Sequence, residues 1–487
     1  MASKTIIRTT AYYLALVVAS FAFVFLFSFN TSPFYLGYAG DTSAYKQMGL
    51  LIVQGGIPYI DLYDNKGILL YLFNALGIWL SPKWGICLLQ GTMMALTAIV
   101  WDKMLRALGV GRMRPVCLLL AWVLLMCFYE GGDMTEDLCL LFISLPMLFY
   151  VESYMSKTPL RPVHWLVMGI CFGIITFIRI NNALQFLFFY LSAFVLDLTD
   201  KRYQTVIRNL IFALLGFLTT ALASVGVMYL IGGSESVRAM FYWMFEANFE
   251  RIVFTVYNGW QMQIFLIGII PAVLFLTIAI ILNYRQPSLL LPIIAAILTC
   301  ATTFSLRPFP HYEIVFLPIF VMLSGQLTVR WRWAGLLPLF LVFAFNYHIL
   351  YDQGMRVRRE LLLDRVWFRE GFDQFSQLAA GMTPCEREKI FNLEVWPGLS
   401  LLNHEGIVSY NKNSLVGIDE ELHSLLSSGD TNLMPRWLIT TAETQFLPDD
   451  SVFVAQHYTR TVALEPVAWK DIILRGLETS TFYSQPQ

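Results

Sequence analysis

The sequence predicts an all-α polytopic membrane domain followed by a small C-terminal α/β domain, and three observations carry that expectation. Of the 487 residues, 57% are hydrophobic and only 14% charged, whereas roughly a quarter are charged in an ordinary soluble domain; mean hydropathy is +0.60. The apolar residues are gathered into runs that approach the ~20 residues a bilayer crossing requires. Near Tyr351 the composition changes, and charged residues and short β-like runs replace the apolar ones. The formal net charge of −1, with no basic run and no zinc-ligand spacing, gives no argument for nucleic acid as a partner. The partners expected are membrane lipids and molecules presented at a membrane.

From the N-terminus, Lys4 and Arg8 precede an apolar run over 11–29 that is too long for a secretory h-region and lacks a small-residue cleavage pattern. It is read as a retained first helix. Further spans are expected near 84–101, 115–129, 138–155, 163–178, 183–197, 209–231, 260–282, 287–305, 313–329 and 333–350, about eleven with the first. Lys4, Arg8, Lys103, Arg106, Arg112, Arg114, Lys157, Arg161, Lys201, Arg202, Arg208, Arg285, Arg330 and Arg332 share one side and outnumber the basic residues of the other by roughly two to one. The positive-inside rule therefore places the first large loop, 31–82, outside the cytoplasm. With an odd number of spans, the domain 351–487 lies outside as well, after a membrane domain over 1–350. In that second domain, strands are expected at 389–395, 406–410, 437–441, 452–464 and 471–474. Six of the seven cysteines fall in apolar runs and read as small core residues.

The most informative stretch is 41–71. Asp41 precedes Thr42, Ser43 and a helically spaced set, Tyr45, Met48, Gly49 and Ile52, so it sits at a helix N-terminus, where unpaired backbone N–H groups stabilise a carboxylate. Gly55-Gly56-Ile57-Pro58 stops that helix. Residues 59–66, with Tyr59, Asp61, Asp64 and Lys66, then form a polar turn before the next apolar run. The connecting helix is short and amphipathic, as expected of one lying along the interface.

Four other places interrupt the apolar pattern. Glu130-Gly131-Gly132-Asp133-Met134-Thr135-Glu136-Asp137 lies between two short spans, which points to a recessed, water-filled cavity because acids facing lipid are costly. Arg179-Ile180-Asn181-Asn182 separates two apolar runs, and Arg307-Pro308-Phe309-Pro310-His311-Tyr312-Glu313 precedes another. The stretch 232–260 reads as an amphipathic surface helix or as a loop that orders over substrate.

The pattern D, then Y, then G-G-I-P-Y-x-D-x-x-D-N-K-G directly after a first span resembles the first extracytoplasmic loop of the GT-C superfamily of polyprenyl-phosphate-sugar-dependent glycosyltransferases. That superfamily includes the protein O-mannosyltransferases, the aminoarabinose transferases of lipid A and the RgtA-like bacterial enzymes. The run from Glu130 to Glu136 is similar to the E-G-G-N-x-T-E of RgtA-like members, with Asp133 in place of Asn; Arg179-Ile180-Asn181 is similar to their R-x-N, and His311-Tyr312 to the H-Y that opens a late helix. The resemblance implies a GT-C-like membrane domain and a polyprenyl-phosphate-linked sugar as donor. By family analogy it also implies a glycan or glycolipid acceptor of the cell envelope, such as lipopolysaccharide or O-antigen, and a bacterial inner membrane with the site on its periplasmic side.

The chemistry that fits is one inverting displacement. An acceptor hydroxyl needs a carboxylate to take its proton, for which Asp41 is the candidate; Glu136 or Asp133 would orient the acceptor or the sugar hydroxyls. The departing phosphate needs cations rather than an acid, which Lys66 and Arg179 would supply with Arg307 and His311. Tyr59, Asp64, Asn181 and Tyr312 complete the expected donor and substrate site. No cofactor or metal is required, although Asp41, Asp133 and Glu136 leave room for a divalent cation. Two other readings share the polar residues: a secondary transporter, which should show inverted repeats and correspondingly broken helices, and an O-antigen ligase or polymerase built on Arg and His in a long outer loop.

Overall fold

The computed structural model describes residues 2–35, 40–62, 64–199, 201–247, 273–274, 276–306, 309–337, 340, 344, 346–363, 390–392, 418–430, 434–440, 446, 448–467 and 470–476. They belong to two units. One comprises Met1–Ser28, Asn65–Leu70 and Cys87–Arg356, and the other Phe29–Asp64, Tyr71–Ile86 and Val357–Gln487.

The first unit is a helical bundle. Its elements are α1 (Ala2–Phe27), α4 (Gly85–Ala107), α5 (Arg114–Phe128), α6 (Thr135–Ser156), α7 (Pro162–Ile178), α8 (Ile180–Thr199) and α9 (Tyr203–Phe241), then the helix Pro287–Leu306, a 3₁₀ turn Pro310–Phe316 and the helix Leu317–Trp331. Five stretches among the described residues are long and apolar enough to cross a membrane: Ile7–Phe27, Gly85–Ala107, Thr135–Ser156, Tyr203–Glu246 and His311–Trp331. Shorter apolar helices accompany them at Ile68–Leu80, Arg114–Phe128, Pro162–Ile178, Tyr190–Thr199 and Leu290–Thr299. The protein is an integral membrane protein. The expected span at 333–350 is not one continuous helix: a 3₁₀ turn covers Arg332–Leu336 and a separate helix begins at Tyr347.

Local sequence explains several boundaries. Proline opens α5 and α7 in the first turn, where its missing N–H costs nothing. Lys157 ends α6 in a left-handed conformation, its N–H turned back to Tyr154 O. Helices α7 and α9 approach closely because Gly169 lies against the backbone at Ala213 and Gly216 against that at Leu166, the small-residue contact typical of membrane helix pairs. The outer stripe of α9, Ile207, Leu210, Leu214, Leu218 and Leu222, is exposed at helical spacing and forms a face suited to lipid. The helix breaks at Gly232 and Gly233, where the hydroxyl of Ser236 reaches Met228 O at 2.7 Å and Gly233 O at 2.9 Å. The part of 232–260 that is described is helical and ends in a π turn, Tyr242–Glu246.

At one end of the bundle, α1, α4 and α5 are tied by Asp102. It is fully buried and receives Arg114 Nη1 on both oxygens at 2.8 and 2.7 Å, Tyr12 OH at 2.7 Å and Tyr13 OH at 3.2 Å.

In the second unit α2 (Gly40–Val53) is followed by a tight turn, and Ile68–Leu80 (α3) straddles the boundary between the units. Farther along the chain is a four-stranded sheet of order β1-β2-β4-β3. Strand β1 (Ile390–Asn392) pairs parallel with β2 (Trp437–Thr440), which pairs antiparallel with β4 (Lys470–Gly476), itself antiparallel to β3 (Arg460–Val467). Leu422 and Leu426 of the helix Ile418–Ser427 pack with Leu438 of β2 and Val454 and Tyr458 at the helix Pro448–His457. The strand expected at 452–464 is therefore helical in its first half. Pro448, Asp449 and Asp450 supply a helix start, with acids at the positive end of the dipole. Strand pairing begins only at Arg460; the expected strand 406–410 lies outside the described residues.

Candidate active site

The acidic loop between α5 and α6 has an unusual backbone. Four successive residues are left-handed: Glu130 (φ 43°), Gly131 (87°), Gly132 (77°) and Asp133 (61°). For the two that carry side chains this costs ~1–2 kcal/mol each, and backbone strain of this kind collects at functional sites. Glycine is needed at 132 because a Cβ there would collide with Ser28 Oγ and sit 2.9 Å from the Tyr129 ring. The loop is held from beneath: Ser28 Oγ lies 3.1 Å from Gly131 O and 3.0 Å from Gln90 Oε1. Gln90 Nε2 and the Asp133 N–H both donate to Asp137 Oδ2, at 3.2 and 3.1 Å.

Helix α6 begins directly after this loop, with Glu136 and Asp137 in its first turn, where the helix dipole favours carboxylates. Glu136 is fully buried. Its Oε1 receives Arg179 Nη1 at 2.7 Å and its Oε2 receives Thr135 Oγ1 at 2.8 Å. Arg179 also donates from Nη2 to Tyr312 OH, and its guanidinium stacks 4.4 Å from the Tyr312 ring centre. His311 Nδ1 lies 2.8 Å from Glu130 Oε2, and Nε2 lies 4.0 Å from Glu136 Oε2. Phe309 stacks on the His311 ring. One compact polar cluster thus joins the acidic loop, the α7–α8 break and the 3₁₀ turn that opens the last long span.

Arg179 owes its position to that break. It caps α7 in an extended conformation (φ −159°, ψ 118°), which leaves Ile178 O free to accept the Gly67 N–H at 2.8 Å. A side chain at Gly67 would collide with the backbone at Phe177. The Gly67–Ile178 bond therefore sets the backbone of Lys66 beside that of Arg179. Lys66 is buried, with Nζ donating to Asn65 Oδ1 at 2.7 Å.

Within the second unit, Asp41 stands in the first turn of α2 with its side chain exposed, and Tyr45 OH lies 3.4 Å from its Oδ2. Tyr59 is buried and left-handed (φ 66°), its N–H donating to Leu62 O at 2.9 Å and its ring edge-on to Tyr71. Burial and the Asp64 carboxylate raise its phenol well above the ordinary pKa. Asp64 accepts Tyr71 OH at 2.7 Å, and Asp61 Oδ2 accepts the Ile57 N–H at 2.7 Å.

Of the residues singled out from sequence, Glu136, Arg179, His311 and Tyr312 share the cluster, and Asp133 is fully buried in the loop that leads into it. Asn181 is partly buried in the first turn of α8, while its neighbour Asn182 points Nδ2 at Cys139 Sγ, 3.7 Å away. Arg307 lies outside the described residues. Sequence reasoning missed Glu130, Thr135, Asp137, Gln90 and Ser28 as working parts. Gln90 within an expected span carried the usable signal, since a polar side chain there needs a buried partner. Among the described residues no three His, Cys, Asp or Glu side chains gather as a cation site.

No family model matches the chain, and no curated protein matches it. Solved structures do. The crystal structure of ArnT from Cupriavidus metallidurans bound to undecaprenyl phosphate matches with a TM-score of 0.61 over 99% of both chains, at 12% identity. The chain shares the fold of that protein.

Proposed function

We propose that the protein is a membrane glycosyltransferase that moves a sugar from a polyprenyl-phosphate donor to a hydroxyl of a cell-envelope glycan or glycolipid. The observation that supports this most is the buried Glu136–Arg179–Tyr312 cluster beside the Gly67–Ile178 junction, in a chain sharing its fold with a protein described as bound to undecaprenyl phosphate. Two cationic side chains on adjoining backbone suit the charge of a departing lipid phosphate, and the buried carboxylate holds one of them in place.

In this reading the acceptor oxygen attacks the anomeric carbon, and the bond from that carbon to the phosphate oxygen breaks. Asp41 takes the acceptor proton. The electron pair leaves with the polyprenyl phosphate, whose charge is met by Lys66 and Arg179, so no protein acid has to protonate it. Glu136 holds Arg179 in register and, with Asp133, orients sugar or acceptor hydroxyls; a single displacement inverts the anomeric centre. No metal takes part in this scheme, so a chelator should leave the rate unchanged. The finer topology belongs to the same proposal: about eleven spans in a bacterial inner membrane, with the reacting groups and the C-terminal sheet on the periplasmic side.

The test is Asp41→Asn. Purified enzyme supplied with polyprenyl-phosphate sugars and envelope glycolipid should lose transfer while retaining donor binding and its unfolding temperature. Retained turnover would remove Asp41 as the base.

A further inference from the structure

A second polar site lies at the other end of the bundle. Helix α6 carries Glu136 in its first turn and ends at Lys157; the segment that starts with His311 ends near Arg330. At 1.5 Å per residue the 22 residues of α6 separate the two ends by ~30 Å. At the far end is a cavity of about 440 Å³, within the ~300–1,000 Å³ typical of small-molecule sites.

Its floor and rim differ. In the floor, Asn283 is buried and exchanges two amide hydrogen bonds with Gln326, at 3.1 and 3.2 Å, while Leu108 supplies an apolar wall. Around the rim stand Lys157, Arg330 and Gln286, all exposed, with Tyr154 beside them. No carboxylate pairs with Lys157 or Arg330 among the described residues. Arg330 meets only the face of Trp331, 4.9 Å from the ring centre. Two cations without acids, converging on a pocket with amide groups beneath them, form a receptor for a phosphate.

The surroundings decide which phosphate. Met155 and Val329 line the mouth and are exposed, and Tyr284, Trp331 and Trp333 are exposed in the adjoining chain. Aromatic residues with basic neighbours mark the headgroup level of a membrane protein, and basic pockets between helix ends capture lipid head groups. We propose that this cavity binds the phosphate of an anionic glycerophospholipid, with Lys157 and Arg330 on the phosphate, Asn283, Gln326 and Gln286 near the head-group hydroxyls, and the acyl chains running out past Met155 and Val329. The site is separate from the transfer chemistry and binds the lipid whichever sugar is moved.

The experiment uses the full chain in nanodiscs, released into native mass spectrometry, with phosphatidylglycerol or phosphatidylcholine as probe. Lys157→Gln/Arg330→Gln should retain phosphatidylglycerol about 30-fold more weakly than the wild type, the loss expected for two basic groups at a lipid surface. Retention of phosphatidylcholine and the unfolding temperature in phosphatidylcholine discs should be unchanged, and Lys157→Arg/Arg330→Lys should recover the wild-type retention. Equal phosphatidylglycerol retention by the wild type and the Gln variant overturns the proposal. Displacement of the lipid by micromolar glycerol phosphate also overturns it, because the ligand would then be a soluble phosphate ester.

Discussion

Two buried carboxylates in this bundle have nearly the same neighbours and very different surroundings. Asp102 and Glu136 are both fully buried, each is paired to an arginine at 2.7 Å, and each has tyrosine close to that arginine. Asp102 lies inside α4, and its oxygens are covered by Arg114, Tyr12 and Tyr13, with Arg106 3.8 Å away. Glu136 instead sits where a helix starts, behind four left-handed residues. Among the described residues, Asp137 Oδ1, next to Glu136 in the chain, and both oxygens of Glu313, two residues beyond His311, have no hydrogen-bond partner. Burying an unpartnered carboxylate is expensive. The difference is one of backbone as well as pairing: Asp102 sits within a regular helix with its oxygens covered, whereas Glu136 follows a strained loop, and strain of that kind collects at functional sites.

The sharpest way to break this comparison is to remove the charge of each arginine's partnership in turn. Arg179→Gln should lower the rate of sugar transfer by about 10²–10³-fold, the range seen when one donor to a developing anion is deleted; single-turnover measurement with saturating donor separates this from a loss of donor binding. Asp102→Asn should do the opposite. It should cost about 3 kcal/mol of stability, the low end for breaking a buried pair because Arg114 keeps some contact with water, and leave the rate of the folded enzyme unaltered. If Arg179→Gln loses stability but no rate, the two arginine pairs are of one kind and the distinction fails.

Much of the arrangement was legible in the sequence, for identifiable reasons. The apolar runs fixed a membrane protein because a bilayer demands length, and the helix start at Asp41 followed from an acid placed ahead of apolar periodicity; Thr135–Asp137, read as loop, are instead the first turn of α6. The glycine pair at 131–132 could be recognised as a break, though not that Glu130 and Asp133 would share its left-handed backbone. Pairings across long chain separations were not readable: nothing local to Arg179 names Glu136, 43 residues earlier, or Tyr312, 133 residues later. The Asp102 clamp was missed because a lone acid near a span end, with arginines nearby, looks like a solvated interface. The helix Pro448–His457 was read in part as strand because its Val452, Phe453 and Val454 have β propensity, which packing against Leu438 overrides.

Smaller effects sharpen the comparison within the acidic loop itself. Gly132→Ala puts a Cβ against the Tyr129 ring and into a left-handed backbone, a strain of ~1–2 kcal/mol. Because the loop leads straight into Thr135 and Glu136, the rate should fall by more than stability alone explains, whereas an alanine at Gly109, equally left-handed but with open space around it, should cost stability only. Comparing kcat for the two variants checks this.

The mildest test is Ser28→Ala. Ser28 supports the loop through Gly131 O at 3.1 Å and Gln90 Oε1 at 3.0 Å. Loss of one buried hydroxyl hydrogen bond costs ~1 kcal/mol, so the unfolding temperature should drop by a few degrees or less in a chain of this size. Gln90 retains Asp137 through Nε2, so the acid cluster keeps its second support and the rate should change less than threefold. A rate loss as large as that of Gly132→Ala would mean that the strained loop depends on Ser28 alone, and that Gln90 and Asp137 contribute nothing to holding it.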